Sequence, residues 1–427
     1  MADKVVDAES VIAVHESQGL WGPYWIDTLK GAVIYLRSFD LYLGYTDDGG
    51  ATWSNTLMEA GTERQLAVWF DRETPGDTGT LLHLAWLNTE DSDVRYVNVD
   101  IDDATVGTIR DVDTGVTVGG TNTSNRIAIT KTVSGNLICA FSTPTEIECY
   151  KSDDLFATAG TDIADPYETT TEEDWLLLYP ADTADENDAC GIFWDRSADA
   201  ISIKMYDDSA DTWTETAISS SMNDNQTYIN MDAALRQSDS HILLAAHTSW
   251  DNNGDDLKTW DLTPDSIATP TVTAKTNIFT NQNESAQAAV MINQQNDEVY
   301  VAYLKGGTWQ SETDVVFHKS DDGMANWGSE QAYSEAAADD NRNLSGGRTV
   351  GDDGGRIQWA WFNDDLGKIY VNLVNDIILP VVPITNFQIN IDDAWRDYDN
   401  IKINIGDTWK DVVGVQINIG DTWKDVF

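Results

Sequence analysis

The sequence predicts an all-β fold, a seven-bladed β-propeller with a small C-terminal β-hairpin repeat module. Three observations predict it: a paired-strand unit that recurs seven times, almost no helical periodicity sustained over ten residues, and three near-identical fourteen-residue copies at the end of the chain.

Each unit is an apolar strand, a polar turn and a second strand. The first strands are expected at 32–36, 81–87, 137–141, 190–194, 241–246, 298–304 and 356–361, so the units begin 49 to 58 residues apart. That is the spacing of a propeller blade. Their partners follow at 41–45, 94–99, 147–150, 201–206, 257–262, 315–318 and 369–374. An inner strand precedes the pair at 65–70, 126–130, 175–179, 228–233 and 288–292, and a looser outer one follows, as at 211–218. The runs are apolar on both alternating faces, as in sheets covered by a neighbour on each side. Four strands in each of seven units fill residues 1–383, the expected propeller domain.

The 427 residues carry 73 Asp plus Glu against 25 Lys plus Arg, a formal charge of −48, and 41% are hydrophobic. The apolar fraction suffices for a packed core, which argues against wholesale disorder. The charge excludes nucleic acid as an expected partner, because phosphate binding draws on clustered Lys and Arg, and disfavours an anionic membrane surface. High salt and bound calcium are both open as reasons for the acidity. The start, MADKVVDAESVIAV, lacks a basic segment followed by an apolar one, so no signal peptide is expected there. The apolar stretch 377–384 is interrupted by Pro380 and Pro383 and is too short to span a bilayer. Synthesis in a cytoplasm without membrane insertion, and release by lysis or assembly, is the expectation.

Three cysteines, Cys139, Cys149 and Cys190, are too few and scattered for a disulfide framework or a zinc site. If 137–141 and 147–151 form a hairpin, position 139 is expected directly opposite 149, as a cross-strand disulfide or as two buried thiols.

The turn after the third strand repeats a signature. Thr46-Asp47-Asp48-Gly49-Gly50-Ala51-Thr52-Trp53 and Ser320-Asp321-Asp322-Gly323-Met324-Ala325-Asn326-Trp327 both read Ser/Thr, any residue, Asp, Gly, three residues, Trp. The Asp accepts turn amide hydrogens, Gly supplies a permissive dihedral, and Trp folds back over the turn. Degenerate copies are read at 152–154, at 206–208 with Trp213, and at Asp255 with Trp260. This signature resembles the Asp-box (BNR) repeat of sialidases and many other propellers. The resemblance implies a structural role for Asp48, Gly49, Trp53, Asp322, Gly323 and Trp327, on the rim opposite the functional face, and transfers no catalysis.

Residues 384–427 form the second expected domain. Its copies read FQINIDDAWRDYDN, IKINIGDTWKDVVG and VQINIGDTWKDVF, with Trp395, Trp409 and Trp423 spaced by 14. Each reads as strand, two-residue turn and strand, and an isolated hairpin is marginal in water, so the module should pack on the propeller, on a partner chain or on a larger assembly. Repeats ending in Gly-Asp-Thr-Trp-Lys-Asp-Val look like C-terminal modules of structural proteins of tailed phages and related viruses. That resemblance implies docking or self-association on a virion; a plain β-extension of the domain is the alternative.

A sialidase needs three arginines on the substrate carboxylate, a tyrosine nucleophile with its glutamate, and an acid/base Asp. The family's Arg-Ile-Pro motif is absent; Arg37, Arg64, Arg196, Arg342 and Arg348 sit near expected blade ends. With twelve arginines in the chain, some will often converge by chance, and surface pairing with the abundant acids is the plain reading. Residues 251–256, DNNGDD, read either as a calcium loop or as a plain solvated turn, with no other metal or cofactor expected. The longest loops joining second and third strands, 248–256 and 305–314, each carry a tryptophan, Trp250 and Trp309. With Asp251, Arg37 and Arg196 they make a candidate sugar-stacking surface; a Trp folded over its own loop is the alternative.

The expected function is therefore a non-enzymatic virion structural protein of a tailed virus, on capsid or tail. It would bind a host-surface glycan or a neighbouring virion subunit, and its repeats would engage other virion proteins or copies of itself. A sialidase-like glycoside hydrolase and a secreted carbohydrate-binding adhesin are the competing classes.

Overall fold

Alternating apolar runs separated by Asp, Asn and Gly turns fold into antiparallel sheets. The computed structural model describes residues 3–8, 19–61, 63–88, 90–116, 126–143, 146–167, 173–195, 198–220, 222, 231–248, 255–282, 287–305, 314–334, 341–350, 356–363, 365–372 and 377–378, together with the six strands of the tail. Seven sheets of at least four strands form the seven blades of a β-propeller.

Blade 1 runs Leu20–Trp25, Gly31–Arg37, Asp40–Thr46, Ser54–Glu59 from its inner strand outward. Blades 2 to 6 have inner strands Glu63–Phe70, Ile127–Lys131, Glu173–Pro180, Met231–Arg236 and Ala288–Asn293, each paired outward to the next strands in sequence. Blade 7 is built differently. Its inner strands are Asn341–Gly346, Trp359–Asn363 and Lys368–Val371, and its outermost strand is Lys4–Asp7 from the start of the chain. Lys4 lies opposite Val371 and Asp7 opposite Ile369, so the first segment closes the last blade.

Side chains reinforce this closure. Tyr35 of blade 1 donates its hydroxyl to Asp7 at 2.8 Å, Arg37 donates to the same carboxylate oxygen at 3.2 Å, and Asn55 donates to the Val6 carbonyl at 3.1 Å. Asp7 is buried, so removing its partners would strand a desolvated acid. Val6, Val33, Tyr35, Phe362 and Val371 pack together as the core between blades 7 and 1.

The remaining core lies in the same way between successive blades, which is why both faces of each strand are apolar. Trp21, Ile34, Leu66 and Trp86 pack between blades 1 and 2, and Leu243, Val290, Val301 and Phe279 between blades 5 and 6. Burying both faces of a sheet in this way gives each apolar side chain roughly 1.5 to 3 kcal/mol relative to exposure.

Two expectations about register are corrected. Cys139 lies opposite Tyr150, and Cys149 opposite Ala140, so the two cysteines are one position out of step and on opposite faces of blade 3. They enter different cores, Cys139 beside Trp175 and Ile192, Cys149 beside Leu178 and Phe193, and all three cysteines are free and buried. The signature at Asp255 is not a turn: Asp255 opens strand Asp255–Thr263, and Trp260 sits within it opposite Leu244.

The Ser/Thr-x-Asp turns after the third strands of blades 1, 3 and 6 share one hydrogen-bond pattern. Thr46 donates its hydroxyl to Asp48, Gly50 N–H donates to Thr46 Oγ1, and Thr52 donates both N–H and hydroxyl to Asp48. Ser152, Asp154 and Thr158 repeat this, as do Ser320, Asp322 and Asn326. Bonds from Thr52 hold the Asp48 carboxyl down at about 2. Gly49 and Gly323 take positive φ, 75° and 66°. Trp327 donates its indole N–H at 2.7 Å to Thr276 O in blade 5, whereas Trp53 packs edge-on against Trp25.

By contact the chain divides into two compact units, residues 1–378 and 379–427. The second holds three antiparallel hairpins, Phe387–Ile391 with Ala394–Tyr398, Lys402–Ile405 with Thr408–Asp411, and Gln416–Ile419 with Thr422–Asp425. Their registers are the same: Trp395, Trp409 and Trp423 lie opposite Asn390, Asn404 and Asn418.

Candidate functional site

The inner strands surround the ring axis, and there the structure gathers charged and aromatic groups that are far apart in sequence. Asp232 is the second residue of the blade 5 inner strand. One of its carboxylate oxygens accepts Val290 N–H from blade 6 at 2.9 Å, and the other accepts Arg348 Nε at 3.2 Å. Arg348 follows the inner strand of blade 7 and is 5% exposed; its guanidinium lies 4.8 Å from the Trp21 ring centre and 5.9 Å from that of Tyr179. Glu73 ends a 3-10 turn, Asp71–Glu73, directly after the blade 2 inner strand, and its Oε2 is 4.0 Å from Arg348 Nη1.

Burial dominates the electrostatics of this cluster. It pushes the Glu73 carboxyl up to about 8, with Arg348 opposing and Asp232 adding to the rise. By strict geometry the buried Glu73 oxygens and Tyr24 hydroxyl find no hydrogen-bond partner among the described residues, and Tyr24 is held well above the usual phenol range by burial and by Glu73. Burial also raises Asp232, while the facing Arg348 lowers it. Burial works against the Arg348 charge, but Tyr179, Asp232 and Glu73 more than restore it. Tyr179 donates its hydroxyl to Ala233 O at 2.6 Å, which fixes its ring beside the guanidinium.

Beside this cluster is a cavity of about 30 Å³. Trp21, Asp232, Ser345 and Arg348 give it polar and aromatic walls, and Leu20, Met231, Ala288 and Leu344 give it apolar ones. Leu20, Met231 and Ala288 are the first residues of their inner strands, so the cavity lies toward that end of the ring. The volume suits a water or two, or a single hydroxyl-bearing group, rather than a whole sugar ring.

A second polar line runs through blade 2. Buried His83 is hydrogen-bonded through Nε2 to Asp71 at 2.9 Å and through Nδ1 to the Tyr96 hydroxyl at 2.8 Å. Lys131 of blade 3 donates to Asp71 at 2.5 Å and to Asp77 at 2.7 Å. Burial alone would raise Asp71, but His83 and Lys131 hold it down at about 2. This line ties blade 2 to blade 3 and contributes no residue to the axial cavity's lining.

Of the residues expected from sequence to meet a ligand, Trp250, Asp251, Trp309 and Arg196 lie outside the described residues, as does most of the candidate calcium loop. Among the described residues no cluster of three or more His, Cys, Asp or Glu is placed to hold a metal ion. Arg37 is placed at the turn between the second and third strands of blade 1, against Asp7 and over the Tyr42 ring at 3.9 Å. Among the five arginines singled out near blade ends, Arg348 reaches the axis; the side chains of Arg64 and Arg342 are outside the described set. Glu73, Asp232, Trp21 and Tyr24 were not anticipated. Asp232 carries one signal, an acid second in an inner strand that reads Met-Asp-Ala-Ala-Leu-Arg.

No family model matches the chain, and no curated protein matches it. Solved structures do. A luciferin-regenerating enzyme aligns at 11% identity and TM-score 0.39, over 69% of this chain and 86% of its own. An uncharacterized protein from Listeria monocytogenes EGD-e aligns at 12% and 0.42, over 85% and 97%. An alpha-L-arabinanase from Penicillium chrysogenum, complexed with arabinobiose, aligns at 10% and 0.36, over 58% and 76%. At such identities and TM-scores nothing of these proteins carries over to this chain. The chain's own seven sheets establish the conclusion: its ring unit is a seven-bladed β-propeller, closed by its first strand.

Proposed function

We propose that this protein is a non-enzymatic virion structural protein, displayed on the capsid or tail of a tailed virus and made in the host cytoplasm. The propeller binds a host-surface glycan or a neighbouring subunit, and the hairpin repeats attach it to other virion proteins or to copies of itself. The observation that supports this reading is the tail: a separate compact unit whose three hairpins repeat one register, each with Trp opposite Asn. A two-stranded hairpin is marginally stable alone, so three in succession favour a partner surface that completes them. Light scattering on the full chain and on a chain ending at residue 378, in low and high salt, tests it. A tail-dependent trimer or larger assembly supports the reading; a monomer with and without the tail, which also fails to bind purified virions, overturns it.

A sialidase-like glycoside hydrolase is the second reading, favoured by one observation. Glu73, whose carboxyl burial pushes up to about 8, and Asp232, paired with Arg348, bring two carboxyl groups to the ring axis. Turnover of fluorogenic glycosides, lost in Glu73→Gln, would support it.

A further inference from the structure

We infer that the axial cavity bounded by Trp21, Asp232, Ser345 and Arg348 is a binding subsite for one hydroxyl-bearing end of a neutral saccharide, and that it discriminates against sialylated and other anionic sugars. This rests on the glycan-binding reading of the propeller and specifies where and what it binds.

The argument is one of charge already balanced. Among the described residues Arg348 is the cation of the cavity, and its Nε is bonded to Asp232 at 3.2 Å, with Glu73 4.0 Å from Nη1. A sugar carboxylate entering here would meet a guanidinium whose partner is in place and the Asp232 carboxylate beside it. It would lose its hydration without gaining an unpaired cation, which is unfavourable in a buried site. An ammonium group would face Arg348 itself. A neutral hydroxyl escapes both penalties. Asp232 accepts Val290 N–H on one oxygen and Arg348 Nε on the other, and a carboxylate has about four acceptor sites, so a ligand hydroxyl can donate to it and accept from Ser345. The size agrees: about 30 Å³ takes a hydroxyl or hydroxymethyl group while the rest of the ring stays outside. Leu20, Met231, Ala288 and Leu344 line the remainder and suit the C–H face of a sugar rather than its polar rim.

The test uses the full chain on an array of galactose-, glucose- and N-acetylglucosamine-terminated glycans and their sialylated counterparts, followed by calorimetry with the tightest neutral binder. Two variants follow: Ala288→Leu fills the cavity, and Ser345→Ala removes one hydroxyl with little change of shape. Both should weaken neutral-glycan binding, by about tenfold for Ser345→Ala, the equivalent of one lost hydrogen bond. Sialylated counterparts should bind no better than the neutral ones. A preference for sialylated glycans overturns the inference, as does unchanged affinity in a folded Ala288→Leu protein; if that variant does not fold, unchanged affinity in Ser345→Ala decides. Binding that persists in both variants leaves the glycan reading standing and removes this subsite. An array blank for every glycan removes both.

Discussion

Replacing Glu73 by Gln should stabilise the propeller at neutral pH, and should do so less and less as the pH falls. Native Glu73 keeps its proton up to about 8 because it is buried, whereas in the unfolded chain it gives the proton up near 4.5. Between these values the folded state binds more protons than the unfolded one, so this residue's contribution falls as pH rises through the window and is fully lost above about 8. At pH 7 the interval from 4.5, at about 1.4 kcal/mol per pH unit, amounts to about 3 kcal/mol. Gln has the same shape without the titrating proton, so the variant should avoid that cost. For a unit the size of the ring, with an unfolding entropy of roughly 0.8 kcal/mol per kelvin, the gain corresponds to about 4 °C in melting temperature at pH 7. The two proteins should melt together near pH 4, and the difference should level off above pH 8. Calorimetric melts of both at pH 4, 5.5, 7 and 9 read this directly. Parallel pH profiles, or a variant that melts lower at pH 7, would refute the account of a buried, neutral Glu73.

Further outcomes follow from other parts of the ring. Deleting residues 1–8 removes the outer strand of blade 7 and the Asp7 bonds to Tyr35 and Arg37; it should abolish the single cooperative melt, whereas a chain ending at residue 378 should melt as a ring, and the reverse pattern would show that the tail is what closes it. The three thiols, buried and with their pKa values raised by burial, should fail to react with a thiol reagent until the protein unfolds; a mass two daltons low, mapping to Cys139 and Cys149, would contradict the register. Asp48→Ala should lower the melting temperature modestly at neutral pH. That difference should fade as pH falls toward 2, where the native carboxyl, held down by Thr52, takes up its proton and loses what favoured its charged form; a difference independent of pH would discount those bonds.

The middle strands of every blade are legible in the sequence because burial on both faces leaves long apolar runs, as in Leu81–Asn88 and Glu298–Lys305. What is hidden has local causes. The blade 1 inner strand reads Leu-Trp-Gly-Pro-Tyr-Trp, and Gly22 with Pro23 looks like a turn; in the fold they form a bulge, with Trp21 opposite Ile34 and Tyr24 opposite Ala32. The blade 7 inner strand, Asn-Arg-Asn-Leu-Ser-Gly, is too polar to show a strand period. Cys139 and Cys149 come out one step from the expected pairing because the connection spans 143–146 and Ser142 pairs with Ile147, a detail that apolar patterning does not fix. The axial cluster is hidden for a different reason. Glu73, Asp232 and Arg348 come from blades 2, 5 and 7, and no spacing along the chain relates them; only closure of the ring brings them together.

That closure has a consequence for the order of events at the ribosome. The strand Lys4–Asp7 is made before the rest of the ring, but its partner, Lys368–Val371, is made after six blades and most of the seventh. At roughly 5 to 20 residues per second the first strand waits on the order of 20 to 70 s for the edge it will occupy. Until then a four-residue segment and an open ring edge coexist on one nascent chain, each able to pair with a stranger. Charged residues on a short edge strand discourage pairing with a stranger, and Lys4–Asp7 carries one at each end, the acid received in the folded ring by Tyr35 and Arg37.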